Sequence, residues 1–168
     1  MKNLIQKYKK FFFGFILILL IFLIDRISKI YVISLTKENF NINIYTSEFL
    51  NFTLIWNEGI AFGLFSFNET YLYNVLTGFI LVIIFIILIM IFKSEGFKKY
   101  SLLMIFGGAL SNVFDRIFYK AVPDFIDIHY GELHWFIFNF ADIFITIGVI
   151  FMILYEIIDN NSEKNEKN

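Results

Sequence analysis

Four aspartates of this chain, Asp25, Asp115, Asp124 and Asp142, lie within or beside long apolar runs, where a carboxylate is costly. Asp142 stands in Phe138 to Thr146 with no Lys or Arg within four positions on either side, and the run from Ile143 to Tyr155 carries no charge. An acid near the head of a membrane helix costs up to about 2.5–3.5 kcal/mol to insert, so an unpaired one marks a functional site. Two such acids brought together can hydrolyse a peptide bond. They cannot both ionise cheaply, so they share one proton; one member activates water while the other protonates or hydrogen-bonds the scissile carbonyl. Asp124, in the short loop Val122 to Phe125, is the expected partner of Asp142, and Asp115 is the reserve candidate.

Other polar residues fall at spacings that could support the pair. Asp25 and Lys29 are four apart with the acid first, the favourable order for a helical ion pair. Gly107, Gly108, Asn112 and Asp115 or Arg116 return to one face of a helix, with glycines for close approach and an amide for a bond between helices. Arg116 is a candidate to compensate Asp115 or Asp124, and either Arg116 or the amides Asn112 and Asn139 are candidates to hold the acids in place. Asn139, Asp142 and Thr146 make a similar stripe. Asn57, Gly59, Ala61, Phe62 and Gly63 suggest a turn. His129 and His134, the only histidines, lack the four-residue spacing of two ligands on one helical face, and no metal is expected.

The elements that must position these residues are membrane helices. The 168 residues are 58% hydrophobic with 24 Phe, against about 45–50% for an ordinary soluble domain. The net charge of −1 recruits no nucleic acid, and the absence of cysteine removes disulfides, thiol catalysis and thiolate metal sites. Apolar runs predict four spanning helices, about 11–34, 71–92, 99–117 and 136–158, making an all-α membrane protein whose single membrane domain covers 1–158. The N-terminal run follows Lys2, Lys7, Lys9 and Lys10 as a signal peptide would, but lacks a small-residue cleavage site and reads as a retained helix. A small extracytoplasmic β-sheet is expected between helices 1 and 2, over about 36–66, and a disordered cytoplasmic tail over 159–168. Lysines concentrate on one side of the implied topology, which puts both termini in the cytoplasm and the four aspartates near the outer interface.

Five short blocks in order, D-R-I-S-K (Asp25 to Lys29), N-E-G-I-A-F-G (Asn57 to Gly63), G-G-A-L-S-N-V-F-D-R (Gly107 to Arg116), V-P-D-F (Val122 to Phe125) and F-N-F-A-D (Phe138 to Asp142), resemble the lipoprotein signal peptidase (signal peptidase II) family. The resemblance implies an aspartyl endopeptidase of the bacterial inner membrane. Such an enzyme removes the signal peptide of a prolipoprotein just before a diacylglyceryl-modified cysteine, and the implied partners are that substrate and membrane lipid. It implies catalysis by Asp124 and Asp142, with supporting positions at Asp25, Lys29, Asn57, Gly59, Gly108, Asn112, Asp115, Arg116, Asn139 and Ala141. No cofactor is implied, and a monomer is expected. The chain departs from the family pattern at Ser111, where glycine is usual, at Glu58 and Ile60, which replace smaller residues, and at Pro123, which replaces a valine.

Overall fold

A computed structural model describes residues 2–39, 43–59 and 69–166. Its elements are α1 (Lys2–Asn39), β1 (Asn43–Thr46), β2 (Leu50–Asn57), α2 (Glu69–Lys93), α3 (Gly96–Tyr119), β3 (Val122–Tyr130), β4 (Leu133–Phe138) and α4 (Phe140–Glu166). All four helices are long and apolar enough to cross a bilayer. Their outer faces carry large exposed apolar side chains, Phe79, Phe85 and Phe92 on α2 among them, as hydrocarbon contact requires and water would not tolerate.

α3 is the central helix. It is the least apolar of the four spanning helices and the most buried. Both follow from what it carries: Ser101, Gly107, Gly108, Ser111 and Asp115 face inward among Leu102, Leu103 and Val113. Small residues let the neighbouring helices come close. A Cβ on Gly107 would lie 3.3 Å from Ile21 of α1, one on Gly148 of α4 would lie 2.8 Å from the Ser101 carbonyl oxygen, and one on Gly108 would lie 2.5 Å from the Ala141 carbonyl oxygen. The last contact is with backbone and has no flexible end to move aside. Gly108→Ala is therefore expected to push α3 from the head of α4 and lower stability by about 1–3 kcal/mol. A melting curve of the purified variant in detergent checks this; an unchanged midpoint refutes it.

The sheet is larger than the sequence suggests. It has four antiparallel strands in the order β1-β2-β3-β4, and only β1 and β2 come from the segment between helices 1 and 2. β3 and β4 are built from the connection between α3 and α4, where the sequence reading expects a loop running into helix 4 from residue 136. α3 stops at Lys120, which takes the left-handed conformation (φ 60) that commonly ends a helix. The chain then enters β3 with Val122 opposite Asn57 and Asp124 opposite Ile55. Tyr130 and Leu133 pair across Gly131 and Glu132. Gly131 has φ 58, the geometry that a two-residue hairpin turn with glycine first demands. Pro123 is tolerated because β4 pairs β3 only from Ile126 onward, which leaves Pro123 with a strand on one side alone. Phe136, Ile137 and Phe138 thus belong to β4.

At the other end, α4 continues through Glu166, past the tail boundary expected at Asp159. Once a helix is nucleated, each added residue gains one hydrogen bond for one residue fixed. Ile60, Ala61, Phe62 and Gly63 lie outside the described residues.

Candidate active site

The N-terminus of α4 is the place where the other elements converge. Its N-cap is Asn139, whose Oδ1 accepts a hydrogen bond from the Asp142 backbone N–H at 3.1 Å. Asp142 reaches back, its Oδ2 accepting from the Asn139 N–H at 3.2 Å. This is a capping box with an aspartate in the third helical position, and it ties Asp142 to the helix end. A third orphan N–H of the first turn, that of Ala141, donates to Asp25 Oδ1 of α1 at 2.8 Å. Negative charge is well placed there, at the positive end of the helix dipole.

Asn139 also holds Asp124. Its Nδ2 donates to Asp124 Oδ1 at 2.6 Å, and Asn57 Nδ2 at the end of β2 donates to Asp124 Oδ2 at 2.8 Å. One buried asparagine therefore contacts both acids, through its side-chain nitrogen on Asp124 and its backbone N–H on Asp142. The remaining oxygen of Asp142, Oδ1, accepts from Asn112 Nδ2 of α3 at 2.8 Å. Neither acid touches a cation directly among the described residues. Burial pushes the Asp124 carboxyl up to about 6, and the nearby charge of Asp142 adds to this; the amides of Asn57 and Asn139 and the more distant Lys29 ammonium oppose it. Asp124 also lines a hollow with Ile55, Trp56, Asn57, Glu58 and Ile137.

Behind the two acids lies a fully buried ionic cluster. Lys29 Nζ donates to Asp25 Oδ2 at 2.6 Å, to Asp115 Oδ2 at 2.7 Å and to Asn112 Oδ1 at 2.9 Å, using all three of its N–H bonds. Ser111 Oγ donates to Asp25 Oδ2 at 2.6 Å, so the serine that departs from the family pattern takes up a carboxylate oxygen. The other oxygen of Asp115 pairs with Arg26 of α1, whose guanidinium lies over the rings of Phe114 and Tyr119. Because Lys29 occupies Asn112 Oδ1, the amide must present its Nδ2 to Asp142. The order Arg26, Asp115, Lys29, Asn112, Asp142 is a continuous chain of contacts.

Two expectations need correcting. Asp115 cannot replace Asp124 in the pair, since both its oxygens are taken by cations. Arg116 compensates neither Asp115 nor Asp124. Consecutive residues point about 100° apart on a helix, so Asp115 faces α1 while Arg116 faces α2, where its guanidinium lies over the Tyr73 ring and its carbonyl accepts from Tyr73 Oη at 3.0 Å. Arg116 instead stands against Gly59, where a Cβ would come 2.9 Å from its Nη1. Gly59 has φ 81 and donates its N–H to Asn57 Oδ1 at 2.8 Å, a turn that aims the other end of that amide at Asp124. Arg26 is the participant that sequence spacing overlooked; its one signal is its place three residues before Lys29, next to Asp25 in the first block.

With this geometry in place, relatives agree on what the chain is. The family described as Signal peptidase (SPase) II matches residues 17–158. A lipoprotein signal peptidase of Pelagibacter ubique (strain HTCC1062) is 48% identical over 160 residues, 95% of this chain and 96% of that protein. One of Anaplasma phagocytophilum (strain HZ) is 39% identical over 89% of this chain and 94% of that protein. A solved bacterial membrane enzyme structure at 2.3 Å resolution superposes with a TM-score of 0.67 at 28% identity, covering 89% of this chain and 90% of that one. The chain belongs to the signal peptidase II family, multi-pass bacterial membrane enzymes of the aspartic peptidase type, and has that family's lipoprotein signal peptidase function.

Proposed function

We propose that Asp124 and Asp142 are the catalytic pair, and that they cut a diacylglyceryl-modified prolipoprotein on the N-terminal side of its lipidated cysteine. The single observation that carries this reading is Asn139, whose side-chain amide donates to Asp124 and whose backbone N–H donates to Asp142, giving the two acids one common anchor. Asp124, held up to about 6, carries the shared proton. Asp142 takes a proton from water as the water oxygen attacks the scissile carbonyl carbon, and Asp124 gives its proton to the carbonyl oxygen. The tetrahedral intermediate then collapses: the C–N bond breaks as Asp142 gives its proton to the leaving amine, and Asp124 regains its proton from the hydroxyl that becomes the new carboxyl's carbonyl.

The remaining residues act by position. Asn57, Asn112 and Asn139 donate to the acids; Asp25, Lys29 and Asp115 fix Asn112 and the head of α4; Gly59 and Arg116 shape the turn that carries Asn57; Gly108 and Ala141 bring α3 against α4. The lysine asymmetry favours cytoplasmic termini and places the pair near the extracytoplasmic face of the cytoplasmic membrane, within a single membrane domain over 1–158. Water then arrives from outside while the lipid chains of the substrate stay in the bilayer. The chain acts as a monomer.

The pH profile tests the pair. An acid that must be protonated to act loses its function as pH rises through its pKa, so kcat/KM for a lipid-modified precursor is expected to fall as pH rises through about 6. The Asn57 amide holds the Asp124 carboxyl down, so Asn57→Ala is expected to move that limb to higher pH. A flat profile between pH 5 and 8, or a limb that Asn57→Ala leaves in place, counts against Asp124 as the proton carrier.

A further inference from the structure

Asp127, His129 and His134 form a cluster that the peptidase reaction does not use. Asp127 and His129 are two apart on β3 and so share a face of the sheet. His134, on β4, is directly opposite His129 in the strand register, and the two imidazoles stack with centroids 5.2 Å apart. The sequence reading measured the two histidines against a helical spacing; the hairpin makes them neighbours instead. One donor atom from each of the three residues lies within 4.8 Å of the other two.

We propose that this cluster binds a divalent transition metal ion of the zinc type, clasping β3 to β4. Two imidazoles and a carboxylate are a donor set suited to zinc, with water completing a four-coordinate shell. Donors of a tetrahedral zinc at about 2.0–2.1 Å stand about 3.3 Å apart. His134, whose side chain is 52% exposed, has the room to close the remaining distance.

The second observation is unspent bonding capacity. Asp127 is only 3% exposed, yet among the described residues its Oδ1 has no hydrogen-bond partner, and the buried Nδ1 of His129 has none either. A buried carboxylate oxygen left unpaired is costly, and a cation held through these two atoms would satisfy both. The Asp127 Oδ2 to His134 Nδ1 contact at 2.8 Å satisfies only the other oxygen. A plain Asp–His hydrogen bond therefore explains His134 and leaves His129 and half of Asp127 unexplained.

The test uses the full chain purified in detergent with any affinity tag removed, since the chain then has two histidines and no cysteine to bind zinc elsewhere. Zinc chloride is titrated against a chromophoric chelator, and melting is followed in parallel. The expected result is one zinc bound per chain, a higher melting midpoint with zinc, and loss of both in His129→Gln and in His134→Gln. Asp127→Asn is expected to weaken binding as well. The histidine variants leave the buried carboxylate in place, and their zinc-free melting midpoints show whether they are folded. No zinc bound by the unsubstituted chain, or one equivalent still bound by both folded histidine variants, overturns the proposal. Binding that persists there would place the ion on surface carboxylates.

Discussion

Asp124→Asn or Asp142→Asn is expected to lower the rate of precursor cleavage by about 10⁴-fold, the upper end for loss of a positioned acid–base group, with the protein still accumulating in the membrane. The two effects separate because neither acid is bonded to a cation among the described residues, so neutralising one strands no buried positive charge there. Asparagine keeps the shape of the carboxylate. Its cost is one mismatched amide, since Asn57 and Asn139 both present Nδ2 to Asp124 and their Oδ1 atoms are already engaged with Gly59 and Asp142.

Against that cost stands a pH-dependent gain. An acid whose folded-state pKa is raised from 3.8 to about 6 makes the protein progressively less stable as pH rises from about 4 through about 6. The shift corresponds to about 3 kcal/mol. The asparagine variant escapes this loss, so its melting midpoint relative to the unsubstituted chain is expected to improve between pH 4 and pH 8. The decisive measurement is conversion of a lipid-modified precursor by membranes carrying equal amounts of each protein. Complete conversion by either variant would remove the pair from the mechanism.

Lys29→Met is expected to show the opposite signature: a protein that fails to accumulate. The ammonium is 0% exposed and sits between Asp25 and Asp115, and breaking a buried pair by removing one partner costs about 3–5 kcal/mol. That is a large part of the roughly 5–15 kcal/mol by which a domain is stable. Asp115→Asn acts through the same cluster, leaving Arg26 and Lys29 short of their shared counter-charge. Lys29→Arg does not restore stability, because a planar fork cannot meet three acceptors arranged around a single ammonium. Membrane yield and melting in detergent read this out. A Lys29→Met protein with normal yield and midpoint would show that the cluster contributes little to holding α1, α3 and α4 together.

The contrast between these two outcomes also explains why acids that look alike in the sequence differ in the folded chain. Asp115 and Asp124 are nine positions apart, and both border apolar segments. Only the fold puts one between two cations and the other between two amides. Lipid exposure, by contrast, could be read directly. A run such as Tyr71 to Phe92 has to be a spanning helix whatever surrounds it, because hydrocarbon offers its backbone no other hydrogen-bond partner. The i,i+4 pair of Asp25 and Lys29 is equally local, and it is present as expected.

By itself, then, the sequence determined the four apolar helices and the salt link within α1, because each depends on chain neighbours or on the solvent alone. Tertiary structure decided what depends on distant partners. It showed that Asp124 is on a strand, that Arg26 rather than Arg116 neutralises Asp115, and that His129 meets His134 across a hairpin. The physical reason is that a strand's neighbours are set by register with another segment, and a helix residue's partner by which face packs inward. β3 reads as a loop until β2, delivered from some 70 residues earlier in the chain, supplies its hydrogen bonds.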